Sequence, residues 1–197
     1  MNPYNIVEDF EIELAKYSGS KYAVTVESCT MAIFLACVYS KVQTVTIPSR
    51  TYPSIPCSII HAGGKVKFEN ISWNGVYQLK PYPIWDGAKR FRKNMYIQDS
   101  FHCLSFHAKK HIPIGRGGAI LTNDEKAVEW FKIARFDGRH QCSLSKDTFA
   151  MVGWNCYMTP EQAARGLLLL SMANDYYDDL IENPPYQDLS KYEMYTK

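Results

Sequence analysis

Residues 105–124 read SFHAKKHIPIGRGGAILTND, and their loop of two adjacent lysines and three glycines separates two apolar runs. The runs at 101–106 and 118–122 have the composition of buried strands. Burying an unpaired ammonium is unfavourable, so a lysine held between two core strands needs a reason. The stretch therefore raises the question of whether Lys109 or Lys110 does chemistry.

Helical and strand-like patterns alternate along the rest of the chain. Apolar spacing and capping residues predict helices at 5–18, 28–39, 53–61, 124–136 and from Thr159 toward 177. β-Rich segments predict strands at 22–26, 44–47, 65–69, 101–106 and 118–122, with two short segments between 78 and 85. This alternation predicts an α/β protein with a mostly parallel sheet. Ligands bind beyond the carboxyl ends of such strands, which points to the turns at 27–30, 48–52 and 86–89 and the loop after 106.

Composition narrows the class of protein. The 197 residues carry a net charge of +2, with 46% hydrophobic and 21% charged residues. That balance is typical of a globular core and argues against a nucleic-acid binder or a polybasic membrane anchor. No apolar run approaches the roughly 20 residues that span a bilayer, and the polar N-terminus is unlike a signal peptide. Six cysteines without a C-x-x-C pair favour reduced thiols, and we expect a cytoplasmic protein.

The predicted strand ends carry three different kinds of ligand group. Ser28-Cys29-Thr30 opens a helix, where free amides and the helix dipole suit an anion, although the turn could equally be a plain N-cap. The ring of Tyr52 could stack on a ligand or belong to the core. Asp86 could hold a cationic nitrogen or cap a helix. Together with a lysine amine, this set suits pyridoxal 5′-phosphate, whose aldehyde, ring nitrogen and phosphate need these groups.

Five blocks of the sequence resemble the DegT-type sugar-nucleotide aminotransferases, PLP-dependent enzymes of fold type I. The blocks are FEIELAKYSGSKYAVTVESCTMAIFLA, TIPSRTYPSIPCSIIHAGGKVKFENIS, WDGAKRF, SFHAKKHIPIGRGGAILTND and GWNCYMTPEQAARGLLLL. The lysine block is the most specific of them. The resemblance implies the three-layer α/β/α large domain of that fold over residues 1–182, followed by a polar tail at 183–197. It also implies a homodimer with a shared active site.

The resemblance assigns roles to individual positions. Lys110, five residues after Ser105, matches the Schiff-base lysine and is the catalytic candidate, while Lys109 is its solvated neighbour. The implied cofactor-binding residues are Cys29, Thr30, Tyr52, Asp86, Lys89, Ser105, Lys110 and Asn155. Among them Ser105, Cys29 and Thr30 match phosphate contacts, Asp86 the partner of the pyridinium nitrogen and Tyr52 the stacking ring. Asn155 matches the residue that reaches the neighbouring subunit's cofactor.

Several features depart from the family pattern. Lys89 stands where the family usually has Gln or His, and Tyr157 where Arg is usual. The chain between Ser72 and Asp86 is shorter than in the family. We also expect the family's C-terminal small domain to have no counterpart in these residues.

Other interpretations of the polar motifs are weaker. His102, His107 and His111 are close in sequence, but the proline at 113 and the strand-like flanks disfavour convergence on a metal, and we predict no metal site. The basic run at 89–93 is either a solvated loop or a contact for a nucleotide-sugar diphosphate. The glycines at 115–118 lack the P-loop pattern and indicate a tight turn.

Two functions remain. The first is a PLP-dependent transaminase that moves an amino group from glutamate or a similar donor onto a keto-sugar nucleotide, with Lys110 as acid and base of the proton shift. The second is a non-catalytic or merely cofactor-binding homologue that acts as partner or regulator of a full-length enzyme. Absorbance shows whether cofactor is bound, and a half-transamination test with glutamate then separates cofactor binding from turnover.

Overall fold

Two adjoining sheets form the centre of the molecule in the computed structural model, which describes residues 2–182 and 185–196. The larger sheet has the order β1 (Tyr22–Val26), β7 (Gly118–Thr122), β6 (Phe101–Ser105), β5 (Ile84–Asp86) and β4 (Tyr77–Leu79). The smaller pairs β2 (Thr44–Pro48) with β3 (Lys65–Glu69) in parallel. A bridge between Thr46 and Lys80 joins the two, with N–O distances of 2.8 and 3.1 Å.

The sheet is mixed, which differs from the mostly parallel sheet that the sequence predicts. β5 pairs with β6 in parallel, whereas β1 with β7, β6 with β7 and β4 with β5 are antiparallel. β4 runs antiparallel to β5 because the connection between them, residues 80–83, is too short for a parallel crossover. Because β4 and β7 both reverse, β1, β6, β5, β2 and β3 still run in one direction, and their carboxyl ends share one edge.

Helices cover both faces of the sheet, which confirms the α/β class and the layered arrangement. One face packs against α2 (Cys29–Tyr39), α3 (Ser54–His61) and α4 (Glu125–Ala134), and the other against α1 (Asn5–Ser18) and α5 (Pro160–Ser171). Successive residues of a strand belong alternately to the hydrophobic clusters on the two faces of the sheet. Val24 and Ile120 belong to the α2 side, whereas Ala23 and Leu121 belong to the α1 side. Strands covered on both faces are nearly continuous in apolar residues, as these are.

The ends of the helices follow their sequence signals. Gly19 ends α1 in the left-handed conformation, with φ of +80°. Ser28 caps α2 by accepting the Met31 amide at 3.2 Å. Thr159 and Gln162 form the predicted capping box at the start of α5. No helix in the described residues has the length and apolarity needed to cross a bilayer.

The chain after α5 returns to the sheet edge. The Leu180 amide donates to the Lys89 carbonyl at 2.9 Å, and the Leu189 amide to the Ser49 carbonyl at 2.8 Å. Leu189 is buried. The two prolines at 184 and 185 predict a break in regular structure, but Pro184 lies outside the residues described, and the domain boundary after residue 182 stays a prediction.

Candidate active site

A cavity of about 520 Å³ lies at the shared carboxyl edge of the strands. This volume is in the range of small-molecule and cofactor sites. Seven of the eight cofactor-binding candidates line it, namely Cys29, Thr30, Tyr52, Asp86, Lys89, Ser105 and Lys110. They come from four separate turns and loops, after β1, β2, β5 and β6, which the codirectional strands bring to one edge.

The start of α2 forms one end of the cavity. Ser28 is the N-cap, so the amides of Cys29 and Thr30 precede the first intrahelical hydrogen bond, from Ala32 to Ser28. Such amides and the helix dipole suit a phosphate or carboxylate. Gly118 makes room for this turn, because a Cβ at that position would lie 2.4 Å from the Cys29 nitrogen. The predicted anion-binding turn therefore has the geometry of an anion site.

Ser105 ends β6 on the facing side, and Lys110 lies in the loop that follows. Ser105 is half-buried and pairs with Gly118 across β6 and β7. The Lys110 amide donates to the His107 carbonyl at 2.8 Å, which turns the loop back toward the cavity. Lys109 also borders the cavity, but it is exposed, whereas Lys110 is half-buried and its charge acts on Asp86. The geometry favours Lys110 as the reactive amine.

Asp86 ends β5 and is 4% exposed. Its Oδ1 accepts the Ala88 amide at 3.0 Å and lies 4.0 Å from the Cys29 thiol, and the Tyr77 hydroxyl also hydrogen-bonds the carboxyl. Burial raises the pKa of Asp86, although these donors and the charges of Lys110 and Lys89 oppose the rise. A buried carboxyl without a directly paired cation fits a ligand that brings its own protonated nitrogen, as pyridoxal phosphate does.

Lys89 is buried among aromatic rings. Its Nζ lies 4.9 Å from the ring centre of Trp73, 4.4 Å from that of Tyr186 and 3.5 Å from the Glu182 carboxylate. Burial lowers the pKa of Lys89, and Glu182 opposes that change. A lysine can occupy the position because these groups replace much of its hydration.

Tyr52 and Asn155 differ in their relation to the cavity. Tyr52 lies at the mouth, 56% exposed, with its ring edge-to-face on Tyr186 at 6.2 Å. Asn155 does not line the cavity; it is exposed and donates to the Asp137 carboxylate at 3.0 Å. Its role in a second subunit stays a prediction.

Sequence reasoning missed one wall of the cavity. Residues 180–182 and Tyr186, which we call the strap, close that wall together with Trp73. The strap is held by the Arg50 side chain, which donates to the Tyr186 carbonyl at 3.3 Å, and by near-parallel stacking of Tyr186 and Trp73. An aromatic residue beside the proline at 185, within a polar tail, was the only hint of docking.

The other polar motifs have structural partners. Arg90 and Arg92 both pair with Asp179, at 2.5 and 3.2 Å, and Lys93 lies 3.3 Å from Asp175. Within the basic run, only Lys89 reaches the cavity. Among the described residues, no group of three or more His, Cys, Asp or Glu side chains is arranged to hold a metal ion. All six cysteines are free.

Two proteins of known name are similar in sequence to this chain. The chain is 24% identical over 224 residues to the spore coat polysaccharide biosynthesis protein SpsC of Bacillus subtilis, covering 86% of this chain and 57% of SpsC. It is also 24% identical over 248 residues to a UDP-4-amino-4,6-dideoxy-N-acetyl-beta-L-altrosamine transaminase of Campylobacter jejuni, covering 97% of this chain and 66% of that enzyme. The chain thus spans less than two thirds of the length of these relatives.

A solved structure shows the same fold. The sugar aminotransferase CalS13 of Micromonospora echinospora superposes with a TM-score of 0.71 at 16% identity, over 84% of this chain and 60% of that one. The sequence pattern of the DegT/DnrJ/EryC1/StrS aminotransferase family matches residues 1–84 and 87–183. Asp86 lies in the two-residue gap between these ranges, so its assignment depends on the cavity geometry. The chain belongs to the DegT/DnrJ/EryC1/StrS aminotransferase family.

Proposed function

We propose that this chain is a PLP-dependent aminotransferase that moves an amino group from glutamate or a similar donor onto a keto-sugar nucleotide. The observation that carries the proposal is the meeting of Lys110, buried Asp86 and the start of α2 in one cavity. An amine, a carboxyl and an anion site are what the aldehyde, ring nitrogen and phosphate of the cofactor require. Relatives named as UDP-sugar and GDP-sugar enzymes support the substrate class.

The residues divide the work by chemistry. Bound pyridoxal phosphate supplies an electron sink at the reacting carbon. The α2 amides, Thr30 and Ser105 bind its phosphate, and Asp86 keeps the ring nitrogen protonated. Lys110 would hold the aldehyde of the cofactor, and its amine would serve as the general acid and base that moves the proton during the amino transfer.

The proposed protein is a cytoplasmic homodimer in which Tyr52 covers the cofactor ring and Asn155 reaches the second subunit's site. Six free thiols support a reducing compartment. The exposed position of Asn155, away from its own cavity, supports a role in another subunit.

Cofactor uptake tests the proposal. Purified protein mixed with pyridoxal phosphate is expected to gain an absorbance band near the visible edge, and borohydride should fix the cofactor on the peptide that contains Lys110. Lys110→Ala is expected to lose both signals, while Lys109→Ala, which removes the exposed neighbour, keeps them. Glutamate should then bleach the band of the wild type. Protein that takes up no cofactor would overturn the enzyme proposal and favour a non-catalytic homologue.

A further inference from the structure

The ammonium of Lys89 is buried between two aromatic rings and pairs with a single carboxylate, which a ligand could replace. Only 9% of its side chain is exposed, and the rings of Trp73 and Tyr186 flank the Nζ at 4.9 and 4.4 Å. Aromatic faces attract a cation but carry no net charge. A lysine buried to this extent therefore requires a negatively charged partner.

Glu182 of the strap supplies that partner from the solvent side. Its carboxylate lies 3.5 Å from the Lys89 Nζ, and the Tyr186 hydroxyl donates to it. The Glu182 side chain is 44% exposed, in contrast to that of Lys89. A half-exposed carboxylate gains little from one ion pair and regains its hydration when it leaves. The Glu182 carboxylate that pairs with Lys89 can therefore be replaced by the carboxylate of a ligand.

The surrounding charges favour a singly charged carboxylate group over a diphosphate. Arg90 and Arg92 both pair with Asp179, so Lys89 is the cation of the basic run at 89–93 that faces the cavity. The buried carboxyl of Asp86 borders the same cavity and disfavours additional negative charge, whereas Lys110, whose charge acts on Lys89 in the opposite sense, is the amine assigned to the cofactor. One carboxylate in place of Glu182 keeps the local charge unchanged.

Space beside Lys89 accommodates the rest of a ligand. A second cavity of about 260 Å³ adjoins the first and shares Trp73, Lys89, Glu182 and Tyr186 with it. Arg50 and Asn74 belong to its far side. A ligand bound at Lys89 can therefore extend toward either cavity once the Glu182 side chain moves away.

We propose that Lys89 binds a carboxylate of the amino-acid donor and that Glu182 occupies this position until the donor displaces it. This assignment rests on the proposed function for the identity of the donor. It makes Lys89 a residue that determines donor affinity, in addition to its place beside the cofactor.

Glutarate, a dicarboxylate with no amino group to transfer, is the probe for this subsite. The readout is the NMR resonance of the Trp73 indole N–H, a group that donates to the Arg50 carbonyl at 2.9 Å beside the subsite. In the full chain without cofactor, glutarate is expected to shift this resonance. Lys89→Gln should weaken binding about tenfold or more, because a charged hydrogen bond is lost, and Glu182→Gln should strengthen it several-fold. Lys93→Gln is the matched control, since Lys93 also pairs with a carboxylate but lies outside the cavity.

The outcomes separate the two proposals. Unchanged glutarate affinity in Lys89→Gln, or no shift in either the wild type or Glu182→Gln, would overturn the carboxylate subsite. So would a shift with pyrophosphate but none with glutarate. Where glutarate behaves as expected but the wild type takes up no cofactor, the subsite stands and the aminotransferase proposal fails. With cofactor bound, Lys89→Gln should also raise the glutamate concentration needed for half-maximal bleaching.

Discussion

Tyr77 lies directly opposite Asp86 across β4 and β5, and its buried hydroxyl hydrogen-bonds the Asp86 carboxyl. The same hydroxyl is 2.6 Å from the Thr51 Oγ1. When Tyr77 donates to Asp86, Thr51 donates to Tyr77, so all three groups are satisfied. This arrangement depends on the tight connection of residues 80–83, because only an antiparallel neighbour places Tyr77 in register with the last residue of β5.

Tyr77→Phe tests this support. The variant keeps the ring but leaves Thr51 and Asp86 each without one partner, so we expect the free energy of unfolding to fall by about 1–3 kcal/mol. Loss of a donor to the carboxylate should also raise the pKa of Asp86 further and weaken cofactor binding. Urea denaturation and absorbance titration measure the two effects. Tyr82→Phe is the control, since its hydroxyl accepts the Gln43 amide at 2.7 Å away from the cavity. Equal cofactor affinities in the two variants would contradict the role of Tyr77.

Asp86 should make the cofactor-free protein sensitive to pH. Burial raises its folded-state pKa above the ordinary 3.8, so the unfolded chain loses its proton first as pH rises. The stability that the protonated carboxyl contributes is therefore complete below 3.8 and is lost as pH rises through the folded-state value. Asp86→Asn is expected to remove this part of the pH dependence and to melt above the wild type at pH 7. Melting curves between pH 4 and 7 check it.

Asp86→Asn should weaken cofactor binding, although it stabilises the cofactor-free protein at pH 7. An amide cannot balance a protonated ring nitrogen, so Asp86→Asn is expected to lower cofactor affinity about tenfold or more, the loss of one charged hydrogen bond. A variant that melts higher without cofactor yet binds it weakly would separate function from folding. Wild-type affinity in Asp86→Asn would refute the assignment of this carboxyl.

Gly118→Ala tests the close approach of the α2 turn to β7. A Cβ at Gly118 would meet the backbone of Ser28 and Cys29 at 2.4 Å, and backbone cannot rotate away as a side chain can. We expect an overpacking penalty of about 1–3 kcal/mol and loss of phosphate-dependent cofactor binding. Gly63→Ala is the comparison, because its positive φ is unfavourable for alanine but no atom lies within 4 Å. It should lower stability by about 1–2 kcal/mol and leave cofactor uptake unchanged.

Sequence patterns predicted the parts of the site that depend on local chemistry. Cys29 and Thr30 open α2 as expected because Ser28 is a strong N-cap, and Asp86 ends β5 where the apolar run stops. These positions meet because the codirectional strands share one edge, a property of the fold class. No direction was predicted for β4 from the sequence, although the length of residues 80–83 already excluded a parallel crossover.

The strap was beyond sequence reasoning. Glu182 and Tyr186 lie in a polar segment without periodicity, so nothing local indicates which surface they contact. Their position follows from long-range packing, with Leu189 buried beside β2 and Tyr186 on Trp73. The basic run was equally undetermined, because Arg90 and Arg92 meet Asp179 only through the return of the chain after α5.

Asn155 provides the test of a shared site. The side chain is exposed and donates to the Asp137 carboxylate, so Asn155→Ala should lower stability by no more than about 3 kcal/mol, the upper end for one hydrogen bond to a charged group. If Asn155 reaches the second subunit, the same change should weaken cofactor retention. Gel filtration with absorbance detection measures retention, and Asp137→Ala shows how much of any effect comes from the loop itself.

Mixed dimers decide whether the contribution comes from the second subunit. A chain with Lys110→Ala and a chain with Asn155→Ala each lack one group of the proposed site. In a heterodimer of the two, one site combines intact Lys110 with the partner's intact Asn155, while the other site lacks both. Cofactor retention at the wild-type level should therefore reappear on mixing, at up to one site per dimer. If Asn155 acts within its own chain, neither site regains both groups, and mixing restores nothing.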